Sequence, residues 1–184
     1  MSSKGKIIFI IASAIVCLVV IVFLSGAYYT GAFNDVQLQK DTRGCYHIVF
    51  LSHKGPYYLI QEKIQKVESF LRNKRVKIIN PCGIYYDDPS TVPKKQLRSK
   101  GGYIVDFKVE LQSPFEQEHI PKRDVIMATF KGHPAVAAFK IYPKINQWMS
   151  AHNCEPAGPA LEIYRNDGYI ECEMPIQQKK NNPE

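Results

Sequence analysis

This chain holds one tryptophan, four methionines and five histidines. Its five cysteines include no C-x-x-C pair, and none sits with histidine at zinc-ligand spacing, so no structural zinc site is expected. No G-x-G-x-x-G or G-x-x-x-x-G-K run occurs, which removes the nucleotide-binding signatures. The histidines His47, His53, His119, His133 and His152 are scattered. Ser52-His53 has no third partner in a defensible triad order. No stripe of interleaved basic and aromatic residues points to nucleic acid, and no cofactor or metal is implied.

One absence is positive evidence. Residues 7–24, IIFIIASAIVCLVVIVFL, carry no charge, and their one polar side chain is Ser13. That run matches the hydrocarbon thickness of a bilayer, and Tyr28 and Tyr29 follow where interfacial aromatics belong. The apolar core of a cleaved signal peptide would be shorter. Residues 1–29 are therefore expected to be a single membrane anchor, which makes the bilayer a partner through 7–29. Lys4 and Lys6 precede the run, so 22 of the 24 basic residues and all 17 acidic ones lie beyond it, a balance of +5. By the positive-inside rule the two lysines put the short N-terminus in the cytoplasm and the remainder outside. The densest basic patch, Lys94, Lys95, Arg98 and Lys100, reads as a solvated loop or as a contact for anionic headgroups. With Cys17 in the anchor, Cys45, Cys82, Cys154 and Cys172 remain, enough for two disulfides or four buried thiols.

Beyond a linker over 30–44, local patterns alternate. Tyr46–Ser52 is rich in β-branched and aromatic residues, a strand. Gly55-Pro56 breaks it and opens a helix over 57–73, with Ile60, Ile64, Val67 and Leu71 on one face. Short strands follow at Cys82–Tyr86 and Tyr103–Val109, then a polar connector over 110–123. The order repeats: a strand at Asp124–Phe130, a break at Gly132 and Pro134, and a helical spacing of Phe139, Tyr142, Ile145 and Met149. Strands at Ala160–Tyr164 and Tyr169–Met174 complete it, joined by the turn Asn166-Asp167-Gly168. Lys54-Gly55 recurs as Lys131-Gly132. The expected fold is α+β: two βαββ repeats, 45–109 and 124–176, within a domain at 45–176, followed by a frayed tail at 177–184. Gly55 and Gly132 mark the strand-to-helix corners. Pro143 falls inside the second helix and should bend or divide it.

The ordered motifs HKGPY (53–57), GIYYDDP (83–89), AGPALEIYRND (157–167) and ECEMPI (171–176) resemble the GyrI-like small-molecule-binding domain. That domain also serves as the effector-binding part of some multidrug-responsive transcription regulators. The resemblance is greatest to a membrane-anchored, ER-phagy-receptor-like subgroup, through YYDDPSTVP (85–93), KIYPKINQWM (140–149) and LEIY (161–164). It departs from that subgroup in ending at PIQQKKNNPE, without the acidic tail that bears the autophagy motif, so the autophagy role is not carried over. The resemblance implies a pseudo-twofold pair of repeats with a cleft between their helices. Cationic aromatic ligands would bind there against aromatic side chains and a buried carboxylate. It also favours the cytosolic face of the ER, against the charge bias, so the side of the membrane stays open.

By alternation Glu162 and Tyr164 share one strand face, with Tyr85 the matching aromatic of the first repeat. Glu162 as cation partner, with Tyr164 and Tyr85 offering π-faces, forms the candidate ligand site; a solvent-facing glutamate is the plain alternative. Glu171 and Glu173 share a face of the last strand; Glu171 is a further cleft candidate and the pair could do acid–base chemistry, with two solvated carboxylates the default. Trp148 is a core residue or a cleft aromatic. No catalytic residue is assigned. The expectation is a membrane-anchored binding module for a small apolar or cationic ligand, or a protein partner, in the inter-repeat cleft. The alternatives are a small-electrophile hydrolase using Glu162, as in some members of the resembled family, and an ER-membrane adaptor working through its surface.

Overall fold

The computed structural model describes residues 3–179. Helix α1 covers Ser3–Tyr29, and the large apolar side chains described along it are uncovered by protein. The first repeat is β2 (Tyr46–Lys54), α2 (Ile60–Asn73), β3 (Ile78–Tyr85) and β4 (Arg98–Val105). The second is β6 (Arg123–Lys131), α3 (Pro134–Ala151), β8 (Ala160–Tyr164) and β9 (Tyr169–Gln178). The duplicated βαββ order is thus present, in an antiparallel sheet.

Three further strands are additional to the βαββ pattern. Residues 30–44, expected as linker, contain β1 (Gln37–Arg43), and the connector at 110–123 contains β5 (Glu116–Ile120). Both are polar edge strands, and an edge strand has only one partner to specify it, so its pattern is faint. A short β7 (Cys154–Pro156) pairs with β9, which carries the sheet to Gln178, into the stretch expected as tail. Positions 180–184 of that tail lie outside the described residues.

The main strand order is β1-β6-β9-β8-β3-β4-β2-β5. It is symmetric about the β8–β3 seam, where the repeats join antiparallel. The outer strands are exchanged: β1 precedes the first repeat but pairs with β6 of the second, and β5 precedes the second but pairs with β2 of the first. Only Gly44 and Cys45 separate β1 from β2, yet the two lie toward opposite ends of the order. The sheet must therefore curl back on itself.

Helix α2 buries Ile60, Ile64, Val67 and Leu71, the face read from the sequence. It packs so closely on β4 that a Cβ at Gly101 would lie 2.8 Å from Ile60. Gly101 and Gly102 thus sit within a strand, ahead of the start expected at Tyr103. Helix α3 buries Ala137, Ile141, Ile145 and Met149 and runs unbroken through Pro143. Pro143 is exposed, so the Phe139 carbonyl it deprives of a donor meets solvent instead of core. At the predicted corner, Gly132 takes φ +154 and Gly55 φ +137. The strand ends there and the helix turns back across the sheet.

Each helix covers its own cluster, Val49, Leu51, Tyr103 and Val105 under α2, and Ile126, Phe130, Ile170 and Cys172 under α3. A third cluster, with Ile48, Phe50, Cys82, Ile84, Leu161 and Ile163, fills the other face of the sheet. The five cysteines are free thiols. Cys82 is buried on one face of the sheet and Cys154 and Cys172 on the other, so the structure takes the buried-thiol alternative at these three positions. In the basic patch Arg98 pairs with Asp87 at 2.7 Å and Lys100 with Glu118 at 2.6 Å, so half of it is neutralised locally.

Candidate functional site

The β3–β8 seam aligns Gly83 with Glu162 and Tyr85 with Ala160. Alternation sends Leu161 and Ile163 into the cluster away from the helices and turns Glu162 and Tyr164 toward them. Glu162 retains 8 % of its exposure. Tyr164 donates to its Oε2 at 2.9 Å, and Tyr142, reaching in from α3, donates to Oε1 at 2.8 Å. The Tyr85 hydroxyl lies 2.6 Å from that of Tyr164. With the single Tyr164 proton committed to the carboxylate, Tyr85 must be the donor to Tyr164. Tyr57 then meets the Tyr85 ring edge-on, with centroids 4.8 Å apart, and anchors its own hydroxyl on the Asp87 carbonyl at 2.7 Å.

A carboxylate in the seam between two repeats is thus ringed by tyrosines. Burial pushes its pKa above the ordinary carboxylate value, while the Tyr142 and Tyr164 hydroxyls, which favour the ionised form, pull it back. The same burial, with the Glu162 charge nearby, holds the Tyr85, Tyr142 and Tyr164 hydroxyls protonated. The arrangement can stabilise a buried cation, and the rings present π-faces to it. The site is closed: Glu162 is buried and hydroxyls engage both of its oxygens, so a guest must displace them. Two surface depressions lie elsewhere. One of about 490 Å³ is bounded by Arg43, Asn80, Arg165, Asn166, Asp167 and Glu171, and one of about 120 Å³ lies by Lys40 and Gln178.

The structure therefore brings together Glu162, Tyr164 and Tyr85, and adds Tyr142 and Tyr57. Tyr142 had a signal in the sequence, its place on the inward face of α3, but an inward tyrosine on a helix reads first as core. Trp148 is not part of this ring. It stacks on His152 with centroids 3.9 Å apart and packs against the core of the second repeat. Glu171 lies on the opposite side of β9 and pairs with Arg165 at 2.5 Å. Its neighbour Glu173, expected to be solvated, is fully buried. Tyr46 donates to its Oε1 at 2.8 Å, while Oε2 and the Arg123 Nε and Nη2 atoms lack hydrogen-bond partners among the described residues. Burial raises the Glu173 pKa, and Tyr46, Arg123 and Arg43 oppose the rise. No group of three metal-ligating side chains is found among the described residues.

A family model described as GyrI-like small molecule binding domain matches residues 43–179. No curated protein matches the chain. Among solved structures, the crystal structure of the EcmrR C-terminal domain superposes with a TM-score of 0.63 at 13 % identity, over 79 % of this chain and 99 % of that one. A cryo-EM structure of an EcmrR–DNA complex gives 0.67 at 11 % identity, over 96 % of this chain and 70 % of that one. SAV2435 bound to tetraphenylphosphonium gives 0.50 at 12 % identity, over 77 % of this chain and 94 % of that one. At these identities the likeness is one of fold. Because EcmrR is bound to DNA in its complex, the expectation of no nucleic-acid partner draws no support from these relatives.

Proposed function

The chain belongs to the GyrI-like small molecule binding domain family, and on that premise we propose that it is a membrane-anchored binding module that holds a cationic, largely apolar ligand at Glu162. The observation that carries this reading is the buried Glu162 carboxylate, held by two tyrosine hydroxyls at the seam of the repeats. A buried carboxylate is costly to keep in a fold unless it is paired, and here its partners are neutral. A ligand cation would supply the missing charge. Tetraphenylphosphonium, seen on SAV2435, has the chemistry this ring suits: one delocalised positive charge inside an apolar, aromatic shell.

The anchor half of the proposal rests on α1. Among the described residues it is the one helix long and apolar enough to cross a bilayer. Its 27 residues extend about 40 Å at 1.5 Å each. That exceeds the hydrocarbon thickness of about 30 Å. Binding is favoured over hydrolysis by Glu162 because both oxygens of its carboxylate are engaged by tyrosine hydroxyls that burial holds protonated.

A thermal-shift titration of the chain with tetraphenylphosphonium tests the ligand reading. Saturation at about 100 times the dissociation constant should add about 2.7 kcal/mol of stability, a rise of several degrees in Tm. A folded protein with no shift would sink this reading and favour the ER-membrane adaptor acting through its surface.

A further inference from the structure

We infer that the folded domain is seated on the bilayer surface, with Phe33 and Phe139 set into the headgroup boundary, instead of swinging on a tether. The inference rests on the membrane-anchor reading above. The end of α1 is closed by a Schellman motif. Gly31 takes φ +77, its N–H donates to the Tyr28 carbonyl at 3.1 Å, and the Ala32 N–H donates to the Ala27 carbonyl at 2.9 Å. That end is fastened directly to the second repeat. The His133 N–H donates to the Thr30 carbonyl at 3.0 Å, and Asn34 Nδ2 to the Lys131 carbonyl at 2.7 Å. Lys140 Nζ donates to the Ala32 carbonyl at 2.7 Å and also to that of Asn34, while Lys144 Nζ reaches the Val36 carbonyl at 3.3 Å. The packing is tight, since a Cβ at Gly31 would lie 2.5 Å from the Lys131 carbonyl oxygen.

The segment between helix and domain is thus held at residues 30, 32, 34 and 36, and no free linker remains. Phe33 lies between the two carbonyls that Lys140 grips and is 66 % exposed; Phe139, next to Lys140 in α3, is 84 % exposed. Phe33 is four residues past Tyr29, a reach of at most about 14 Å. Two large aromatics left in water so near the end of a membrane span are misplaced unless the interface takes them up. Interfacial aromatics flanked by lysines, here Lys131, Lys140 and Lys144, are the usual composition of such a contact. The Phe139 carbonyl freed by Pro143 is tolerable there, because the headgroup region is hydrated. One consequence concerns the ligand. Tyr142, a donor to Glu162, is three residues along α3 from Phe139, a rise of about 4.5 Å. The seam then lies beside the headgroups, and amphiphilic cations dissolved in the membrane are the class it would meet first.

The test uses the full chain reconstituted in vesicles of phosphatidylcholine with phosphatidylserine. Nitroxide labels are placed singly by Phe139→Cys, Tyr58→Cys and Ile15→Cys. The background carries Cys17→Ser and Cys45→Ser, since Cys82, Cys154 and Cys172 are buried. Accessibility to oxygen against a water-soluble nickel chelate gives depth. The expected result places the label at 139 about 5–10 Å into the headgroup and acyl boundary. The label at 15 should lie near the bilayer centre and the label at 58 in water. A label at 139 as water-exposed as that at 58, with 15 still deep, overturns the seating and leaves the anchor intact. A water-exposed label at 15 overturns the anchor reading itself, and the seating with it.

Discussion

Glu162→Gln removes a charge and keeps a shape. In the folded chain the carboxylate accepts from Tyr142 at 2.8 Å and Tyr164 at 2.9 Å. An amide has one acceptor oxygen where the carboxylate has two, so one tyrosine proton loses its partner. An unpaired buried hydroxyl costs about 1–3 kcal/mol. Against this, the variant no longer keeps an ionised group out of water, the burial effect that raises the Glu162 pKa. The two nearly offset, and a net stability change within about 1 kcal/mol is expected, a few degrees in Tm. Cation affinity has no such offset. A unit charge about 4 Å from the carboxylate is worth about 4 kcal/mol at an effective dielectric constant near 20. With part of that lost to desolvation of the guest, about 2–3 kcal/mol should remain, so Glu162→Gln should weaken tetraphenylphosphonium binding roughly 30- to 150-fold. Isothermal titration calorimetry of both proteins measures this, with a neutral aromatic of similar size as the control whose affinity should not move. A folded Glu162→Gln protein that binds the cation within about threefold of the parent would refute the argument, because roughly 0.6 kcal/mol is too little for a buried counter-charge.

Cation affinity should fall as pH is lowered through the raised pKa of Glu162, since the guest binds only the ionised form; titrations at several pH values should show the fall in the parent and not in Glu162→Gln. Stability runs the other way. The folded chain holds this proton more tightly than the unfolded one, so the Glu162 contribution is fully present below the ordinary value of 4.5 and is lost as pH rises through the folded value. Denaturant melts of parent and Gln variant should therefore diverge over that window. Tyr164→Phe takes a donor from Glu162 and the acceptor from Tyr85, and should cost about 1–3 kcal/mol in a urea melt. Tyr46→Phe should cost a similar amount, about 1–3 kcal/mol, because it strips the hydroxyl from the fully buried Glu173; an unchanged melt would mean that Glu173 is already protonated or hydrated.

The fold was legible because its main signals are local and repeated. The α2 face of Ile60, Ile64, Val67 and Leu71 and the Gly55 and Gly132 corners each follow from side-chain period and backbone freedom over a few residues. What the pattern missed depends on partners distant in the chain. Strands β1 and β5 carry polar sequences, and their pairing with β6 and β2 is set by the exchange across the repeats. The site divides in the same way. Parity along one strand joins Glu162 to Tyr164, but Tyr142 comes from a helix packed across the seam.

Glu171 and Glu173 show why parity alone cannot finish the task. They sit two residues apart on one face of β9, equal by every local measure. Glu171 pairs with Arg165, in the turn just after β8, near the surface, while Glu173 is sealed under Tyr46 from β2 and faces Arg123 and Arg43. What separates them is the curl of the sheet, which brings the start of β2 and the end of β1 over that one position. Two two-residue joints, Gly44-Cys45 between β1 and β2 and Pro121-Lys122 between β5 and β6, force this curl. A buried charge in this chain is therefore a product of topology. Glu162 is buried at the β3–β8 seam and Glu173 under Tyr46 of the first repeat, so loosening the contact between the repeats should release both carboxylates to water before it exposes either helix core.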